Sequence, residues 1–427
     1  MSVLLLFALL TLCLALSIPI GISLGIATAL VLHFTSSIPL VMISQNAFAA
    51  LDSFPLLAIP LFMLAGSLMS YGGISKRLVA LADSLVGFIS GGLAMVTVTA
   101  CMFFGAISGS GPATVSAIGS FMIPAMRRKK YEEGFAAALT AAAGSIGVII
   151  PPSIPFVIYG VVSGASIGEM FMAGIVPGVI IGLALMTVSY VIARRRGYPK
   201  SDTPPTAGGL WKAFREAFWA LLVPLIILGG IYGGIFTPTE AAVVAVVYSL
   251  FIGRFVYHEL DGRTTYRAFR DAALVNGATT FMIGLSMGFA QYLTMEQIPI
   301  KIATALLGLS SNYVVIILLI LALLLVVGCF VDNISSMIIL TPILLPVVQK
   351  LGMEPVHFGL VMTVALATGF ITPPYGANLF VASAVSGVKM EKISRNMVPF
   401  FAALLGCLLL FAFVPSLSMG LVRIFMR

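Results

Sequence analysis

The sequence predicts an all-α polytopic membrane protein folded as an inverted repeat, with about ten spans, two re-entrant hairpins and two broken helices. Three observations lead there. Of 427 residues, 60% are apolar and 9% charged, with a mean hydropathy of +1.13. A soluble chain carries about 25% charge, so lipid must be the solvent for most of this one. Second, residues that punctuate the apolar runs coincide when the first half is shifted by 222 positions. Gly66 falls on Gly288, Pro124 on Pro346, Glu132 on Glu354, Gly147 on Gly369, Pro151-Pro152 on Pro373-Pro374 and Pro177 on Pro399. Third, the basic clusters occupy opposite loops in the two halves. Lys76-Arg77, Arg127–Lys130 and Arg194–Arg196 mark the cytoplasmic side of the first half; Arg254 through Arg270, with Lys389, Lys392 and Arg395, mark it in the second. The counterpart of Arg127–Lys130 is Gln349–Gly352, with a single lysine, so corresponding loops face opposite sides.

Residues 1–193 form the first repeat. Met1–Leu16 has no basic residue before its apolar run and leads through Ser17-Ile18-Pro19 into another, which is a first span and not a cleaved signal. Spans follow at 2–16, 19–34 and 54–71, with the N-terminus outside. The pair 91–107 and 115–126 is too short in its second arm to cross comfortably, so 91–126 reads as a hairpin entered from the cytoplasm. A broken helix at 132–150 and 154–163 comes next, and 168–193 returns to the cytoplasm.

Residues 194–220 connect the halves. Arg194–Gly209 is a polar linker, and Leu210–Ala220 is an amphipathic helix whose Trp211, Trp219, Lys212 and Arg215 suit either the inner interface or a cytosolic loop. Residues 221–427 repeat the plan: 221–236, 239–257, 272–293, a hairpin over 312–349 entered from outside, a broken helix over 355–386, and 396–416. The net charge of +8 sits in orienting clusters at span ends, which excludes a nucleic-acid surface. Cys13, Cys101, Cys329 and Cys407 are scattered in apolar segments with neither disulfide nor metal spacing.

In hydrocarbon an unpaired backbone group costs several kcal/mol, so helix breaks at membrane depth survive only inside protein or beside a watery cavity. Four such breaks exist: the tips Ser108–Thr114 and Val331–Ser336, and the proline breaks Ile150–Ser153 and Ile371–Tyr375. Hydroxyl, amide and carbonyl oxygens suit a hard cation, while half-helix N-terminal amides suit a carboxylate. Pairing each tip with the break of its own half gives two cation sites. Ser108, Ser110, Thr114, Pro151 and Ser153 form one; Asp332, Asn333, Ser335, Ser336, Thr372 and Pro373 form the other. Gly109, Gly111, Tyr375 and Asn378 are the substrate candidates between them. Packing and kinking are the bland alternative for these glycines, serines and prolines, as a helix cap is for Asp332. Glu240, in the first turn of a helix, reads as a cap. Gly164-Ala165-Ser166-Ile167-Gly168 matches a nucleophile elbow but lacks its strand–turn–helix context, and His33, His258 and His357 all lie near segment ends. No phosphate-binding loop is present. The chain is expected not to be an enzyme.

Gly234–Ala242, reading GIFTPTEAA, resembles the signature segment of the large membrane subunit of tripartite ATP-independent periplasmic (TRAP) transporters. Ser108–Thr114 with Pro124, Ile149–Ser153, and Asp332–Ser336 with Thr341-Pro342 are similar to that family too, and the likeness spans essentially the whole chain. The resemblance implies an elevator-type fold in which hairpins and broken helices move as a unit in a bacterial inner membrane. It also implies coupling to Na+, with no organic cofactor, and import of an acidic solute such as a C4-dicarboxylate, a keto-acid or sialic acid. A small four-helix membrane subunit, expected as a separate chain, and a periplasmic binding protein are the implied partners. The rivals are a proton-coupled carrier using Asp332, an intramembrane hydrolase using Ser166, and a passive scaffold.

Overall fold

The computed structural model describes residues 2–16, 18–35, 38–199, 206–309, 312–373 and 376–426. Among these, all regular structure is helical. The chain begins with α1 (Ser2–Ala15), α2 (Ile20–Thr35), α3 (Val41–Leu51) and α4 (Ala58–Tyr71), then α5 (Ile74–Val86). The first hairpin is α6 (Gly92–Ser108) and α7 (Gly111–Arg128). It is followed by α8 (Glu133–Gly144), a 3-10 turn at Ser145–Val148, α9 (Ile154–Ser163) and α10 (Ile167–Arg196). The second half holds α11 (Ala207–Tyr232), α12 (Pro238–Phe251), α13 (Gly262–Met295) and α14 (Ile298–Leu309). Its hairpin is α15 (Tyr313–Phe330) and α16 (Asn333–Lys350); α17 (Pro355–Gly369), α18 (Ala377–Ser386), α19 (Met390–Phe413) and α20 (Ser416–Phe425) complete it. Among the described residues eight helices are long and apolar enough to cross a membrane.

Several boundaries differ from the sequence expectation. The separate interfacial helix at 210–220 and span at 221–236 are one continuous α11. Nothing between Trp219 and Leu221 breaks a helix, and Pro224 is accommodated within it. The expected span at 272–293 starts ten residues earlier, at Gly262, where Asp261 and Thr264 form a reciprocal cap. Four helices were not anticipated: α3, α5, α14 and α20. In α5 the buried Ile74, Leu78, Leu81 and Ala82 share a face while Lys76 and Arg77 lie elsewhere, so its periodicity is amphipathic and its overall hydropathy low.

The core is built around α8 and α17. Every residue from Gly134 to Gly144 and from Val356 to Gly369 is buried, as in a helix that is apolar all round and packed on every side. The two halves interlock there. The second hairpin arm α7 packs on α18 of the other half and α16 on α9, while α8 packs on α19 and α17 on α10. Helices α2, α3, α4, α12 and α13 pack together as a second group beside this one.

Equivalent structural events recur at the spacing of 222. Ser145 Oγ donates to Ala367 O at 3.2 Å, a bond between positions 222 apart. Ser110 caps α7 as Asp332 caps α16, and Glu132 precedes α8 as Glu354 precedes α17. A Cβ on Gly105 would lie 3.0 Å from Gly147 Cα, and one on Gly328, one position off the strict spacing, would lie 3.2 Å from Gly369 Cα. In both halves, then, the first hairpin arm touches backbone to backbone the segment where the next helix stops. The basic segments of both halves meet on one face: Arg77 pairs with Glu259 at 2.7 Å, Arg127 reaches Ser386 O at 3.0 Å and Arg196 reaches Asn396 at 3.3 Å. Elsewhere Tyr159 donates to Pro355 O at 2.6 Å, and Arg423 pairs with Glu354 at 2.6 Å.

Candidate functional site

The first tip turns in two residues. Gly109 ends α6 with φ of +62°, a left-handed conformation, and Ser110 is extended and caps α7. Glycine is required at position 109 for a second reason: a Cβ there would sit 2.8 Å from Pro152 O. The Gly109 carbonyl accepts from Ile154 N at 3.2 Å, so the tip is bonded directly to the break of its own half. In that break the Pro151–Pro152 peptide is cis. Ser153 is buried and caps α9; its Oγ donates to Val148 O at 2.6 Å and accepts from Phe156 N at 3.4 Å.

Three expected cation oxygens converge at this tip. Ser108 Oγ and Thr114 Oγ1 are 2.9 Å apart, Thr114 Oγ1 donates to Ser110 O at 2.8 Å, and Ser108 Oγ to the same carbonyl at 3.3 Å. These groups satisfy one another. They lie against Gly147, where a side chain would collide with Thr114 Oγ1 and Ser110 O.

The second tip is different. Asp332 caps α16 through Oδ2, which accepts from Ile334 N at 2.9 Å and Ser335 N at 3.1 Å. Its other oxygen, Oδ1, has no partner. Neither have Asn333 Oδ1 and Nδ2, Ser335 Oγ and Ser336 Oγ. Five of the twelve buried, unpartnered side-chain atoms among the described residues thus fall in five consecutive positions. An unpaired buried polar group costs about 1–3 kcal/mol, which makes this run a candidate for contact with a polar group that the protein itself does not supply.

The second break lies nearby through the Gly328–Gly369 approach. Thr372 Oγ1 donates back to Thr368 O at 3.0 Å, and Asn378 N bonds Phe370 O at 3.1 Å. Gly376 turns the chain with φ of +46°, and a Cβ on it would press within 3.0 Å of Thr372 O. Pro373 is exposed at the end of the described segment. Tyr375, a substrate candidate, lies outside the described residues, as does Pro374.

Asn378 and Gly111 are brought together across the two halves. Asn378 is fully buried, its Nδ2 donating to Ala141 O at 3.1 Å and Ser145 Oγ at 3.2 Å. Its Oδ1 is unpartnered and faces Gly111, where a Cβ would lie 3.0 Å from it. Sequence reading missed Ser145, which ties Asn378 to Ala367; the signal available was a lone serine after an alanine run. It also missed a cleft of about 340 Å³ beside the first tip. There Ser108, Ser110 and Ser116 face Ser67 and Ser70 of α4 and Asp271 of α13. Tyr71 closes one end, donating to Asp271 at 2.6 Å.

Other sequence candidates have ordinary roles. Ser166 caps α10, accepting from Glu169 N at 3.3 Å. Glu240 forms a full capping box with Thr237, accepting from Thr237 N at 2.8 Å.

An all-helical membrane fold whose broken helices and hairpin tips gather buried polar groups at its centre is that of a multi-pass transport protein. The crystal structure of the YdaH transporter of Alcanivorax borkumensis shares the fold, with a TM-score of 0.64, 16% identity and 88% of each chain covered. Residues 7–417 match the model of the family described as "Tripartite ATP-independent periplasmic transporter, DctM component", and the chain belongs to that family. It is 48% identical over 414 residues to the isethionate TRAP transporter permease protein DctMQ of Oleidesulfovibrio alaskensis, covering 97% of this chain and 65% of that longer protein. It is 40% identical to the C4-dicarboxylate TRAP transporter large permease protein DctM of Pseudomonas aeruginosa, over 93% of each. To the sialic acid TRAP transporter large permease protein SiaM of Vibrio cholerae it is 38% identical, over 96% of this chain and 95% of the other.

Proposed function

We propose that this chain is the large membrane subunit of a Na+-coupled importer of an acidic organic solute in a bacterial inner membrane. A small membrane subunit and a periplasmic binding protein that delivers the solute complete the system. The observation that carries the reading is the run of unpartnered polar atoms at Asp332–Ser336. One carboxylate oxygen, one amide and two hydroxyls offer a monovalent hard cation neutral and singly charged oxygens without the carboxylate cluster a divalent ion demands. Ser108, Ser110, Thr114 and the carbonyls around Pro151 offer the pseudo-equivalent set in the first half.

The acidic solute follows from the site and the relatives together. Helices α7 and α16 both begin at a tip, so the positive end of each helix dipole lies at a tip. Isethionate, C4-dicarboxylates and sialic acid, named for the relatives, are all anions. Cation binding would order the tips first. The solute then binds against Gly109, Gly111 and Asn378, and the hairpins and broken helices move as one unit against α4 and α13.

Uptake into proteoliposomes holding this chain and its small subunit, with the binding protein outside, tests the coupling. An inward Na+ gradient at equal pH should drive accumulation of one of these three acids. Accumulation driven by a pH gradient in Na+-free medium would instead assign Asp332 to a proton relay and overturn the Na+ reading.

A further inference from the structure

The transport site leaves a second charged hollow unexplained, on the face where the basic segments meet. It measures about 680 Å³ and lies between the start of α5, the first turns of α11 and the π-helical turn at Ile252–Val256 after α12. Lys76, Arg77, Lys212 and Arg215 line it, against two carboxylates, Glu216 and Glu259. Arg77 is already committed: it pairs with Glu259, donates to Gly73 O at 2.8 Å and lies 3.7 Å over the Tyr257 ring. Lys76, Lys212 and Arg215 have no ion pair or hydrogen bond to any described residue. Three free cations and one carboxylate therefore share one concave wall.

That wall is held together by hydrogen bonds and flanked by aromatics of the kind found at headgroup boundaries. Tyr257 Oη donates to Glu216 O at 2.9 Å and Tyr248 Oη to Trp219 O at 3.0 Å, which fixes α11 against α12. Trp211 and Trp219 are exposed on α11, the amphipathic aromatics of a headgroup boundary. Val247, Phe251 and Phe255 of the neighbouring segment are exposed as well, an apolar strip. A phosphate above and hydrocarbon alongside is the arrangement an anionic phospholipid presents.

We propose that this hollow binds the phosphodiester headgroup of an anionic phospholipid of the cytoplasmic leaflet, through Lys76, Lys212 and Arg215, with its acyl chains along the α11–α12 surface. The lipid joins α5 to α11. Because α5 packs on both α11 and α6, the first arm of the hairpin, the bound headgroup braces the joint between the two helix groups.

Native mass spectrometry of the full chain in detergent tests this, with phosphatidylglycerol titrated against phosphatidylcholine of the same acyl chains. A basic group near an anionic surface contributes on the order of 1 kcal/mol, so the Lys76→Gln/Lys212→Gln/Arg215→Gln chain should lose about tenfold to a hundredfold in phosphatidylglycerol affinity. The charge-matched Arg194→Gln/Arg195→Gln/Lys389→Gln chain should keep it. Should the triple variant fail to fold, Lys212→Gln alone should still lose several-fold. Equal retention of phosphatidylcholine, or an equal loss in the charge-matched control, overturns the site. So does inorganic phosphate that raises the unfolding temperature as far as phosphatidylglycerol does, which assigns the hollow to a free anion. Displacement of the lipid on adding the small subunit assigns it to a protein interface and overturns it too.

Discussion

Ser336 and Gly109 stand at the two tips for opposite reasons. Gly109 is needed for shape: its left-handed φ and its contact with Pro152 O leave no room for any side chain. Ser336 is needed by nothing in the protein that the structure displays. It is fully buried, its hydroxyl has no partner, and folding it there without a ligand is unfavourable. Ser336→Ala should therefore leave the folded chain as stable or more stable, by up to about 1–3 kcal/mol of recovered desolvation, read as an unchanged or raised unfolding temperature. The same change should depress Na+-driven uptake and weaken the thermal stabilisation that added Na+ gives the unaltered chain. A variant that is destabilised yet transports normally would make Ser336 a packing residue and move the cation site elsewhere.

At the scale of elements, the breaks were legible and the short amphipathic helices were not. A proline pair or a glycine-serine tip inside an apolar run is visible because it violates helix formation where lipid forbids a loose backbone. Gly109-Ser110, Ile149–Ser153 and Val331-Asp332 each lie between two helices, with Thr114, Ser335 and Ser336 in the first turn of the helix that follows. Helices α5 and α14 carry no such violation: α5 is amphipathic, with Lys76 and Arg77 off its buried face, and α14, though apolar, is only 12 residues long. The continuous α11 was split because its first turns are charged and its last apolar, although composition changes there without a break in backbone hydrogen bonding. The site was half legible: residue types were readable, but not that tip one satisfies itself while tip two is left open. The GIFTPTEAA segment illustrates the element scale too. Thr237 accepts from Glu240 N while Glu240 accepts from Thr237 N, so the motif begins α12 by pairing two donors that would otherwise be orphaned. Thr237→Val should destabilise the folded chain by about 1 kcal/mol, read as a lowered unfolding temperature, with Na+ affinity intact. A lost Na+ response at normal stability would give the motif a direct part in transport.

For the whole molecule, the question is whether the interlocked group around α8 and α17 moves against the group holding α4 and α13. The interlocking argues that it moves as a unit if it moves at all. Each hairpin is seated on the other half's broken helix, and Asn378 and Ser145 bond the two breaks together, so neither half can shift alone without exposing buried polar groups. The contact between the two groups is of another kind. Gly66 of α4 passes Ser108 of the tip with no hydrogen bond between them, and a Cβ on Gly66 would stand 3.8 Å from Ser108 Cβ. That distance matches the Cβ separation of a relaxed disulfide, about 3.8 Å. In a chain lacking its four native cysteines, the Gly66→Cys/Ser108→Cys pair should thus oxidise readily in the arrangement described here. If the central group slides along α4 during transport, supplying Na+ and a transported acid will shift the population and slow cross-linking several-fold, measured as the rate of disulfide formation under mild oxidant. Because Ser108 is one of the proposed cation oxygens, the comparison is made with a cysteine pair whose unfolding temperature still responds to Na+ and solute. A cross-linking rate indifferent to Na+ and solute, in a chain whose unfolding temperature still responds to them, would mean the two groups stay in register, and transport would have to proceed by movement of the tips alone.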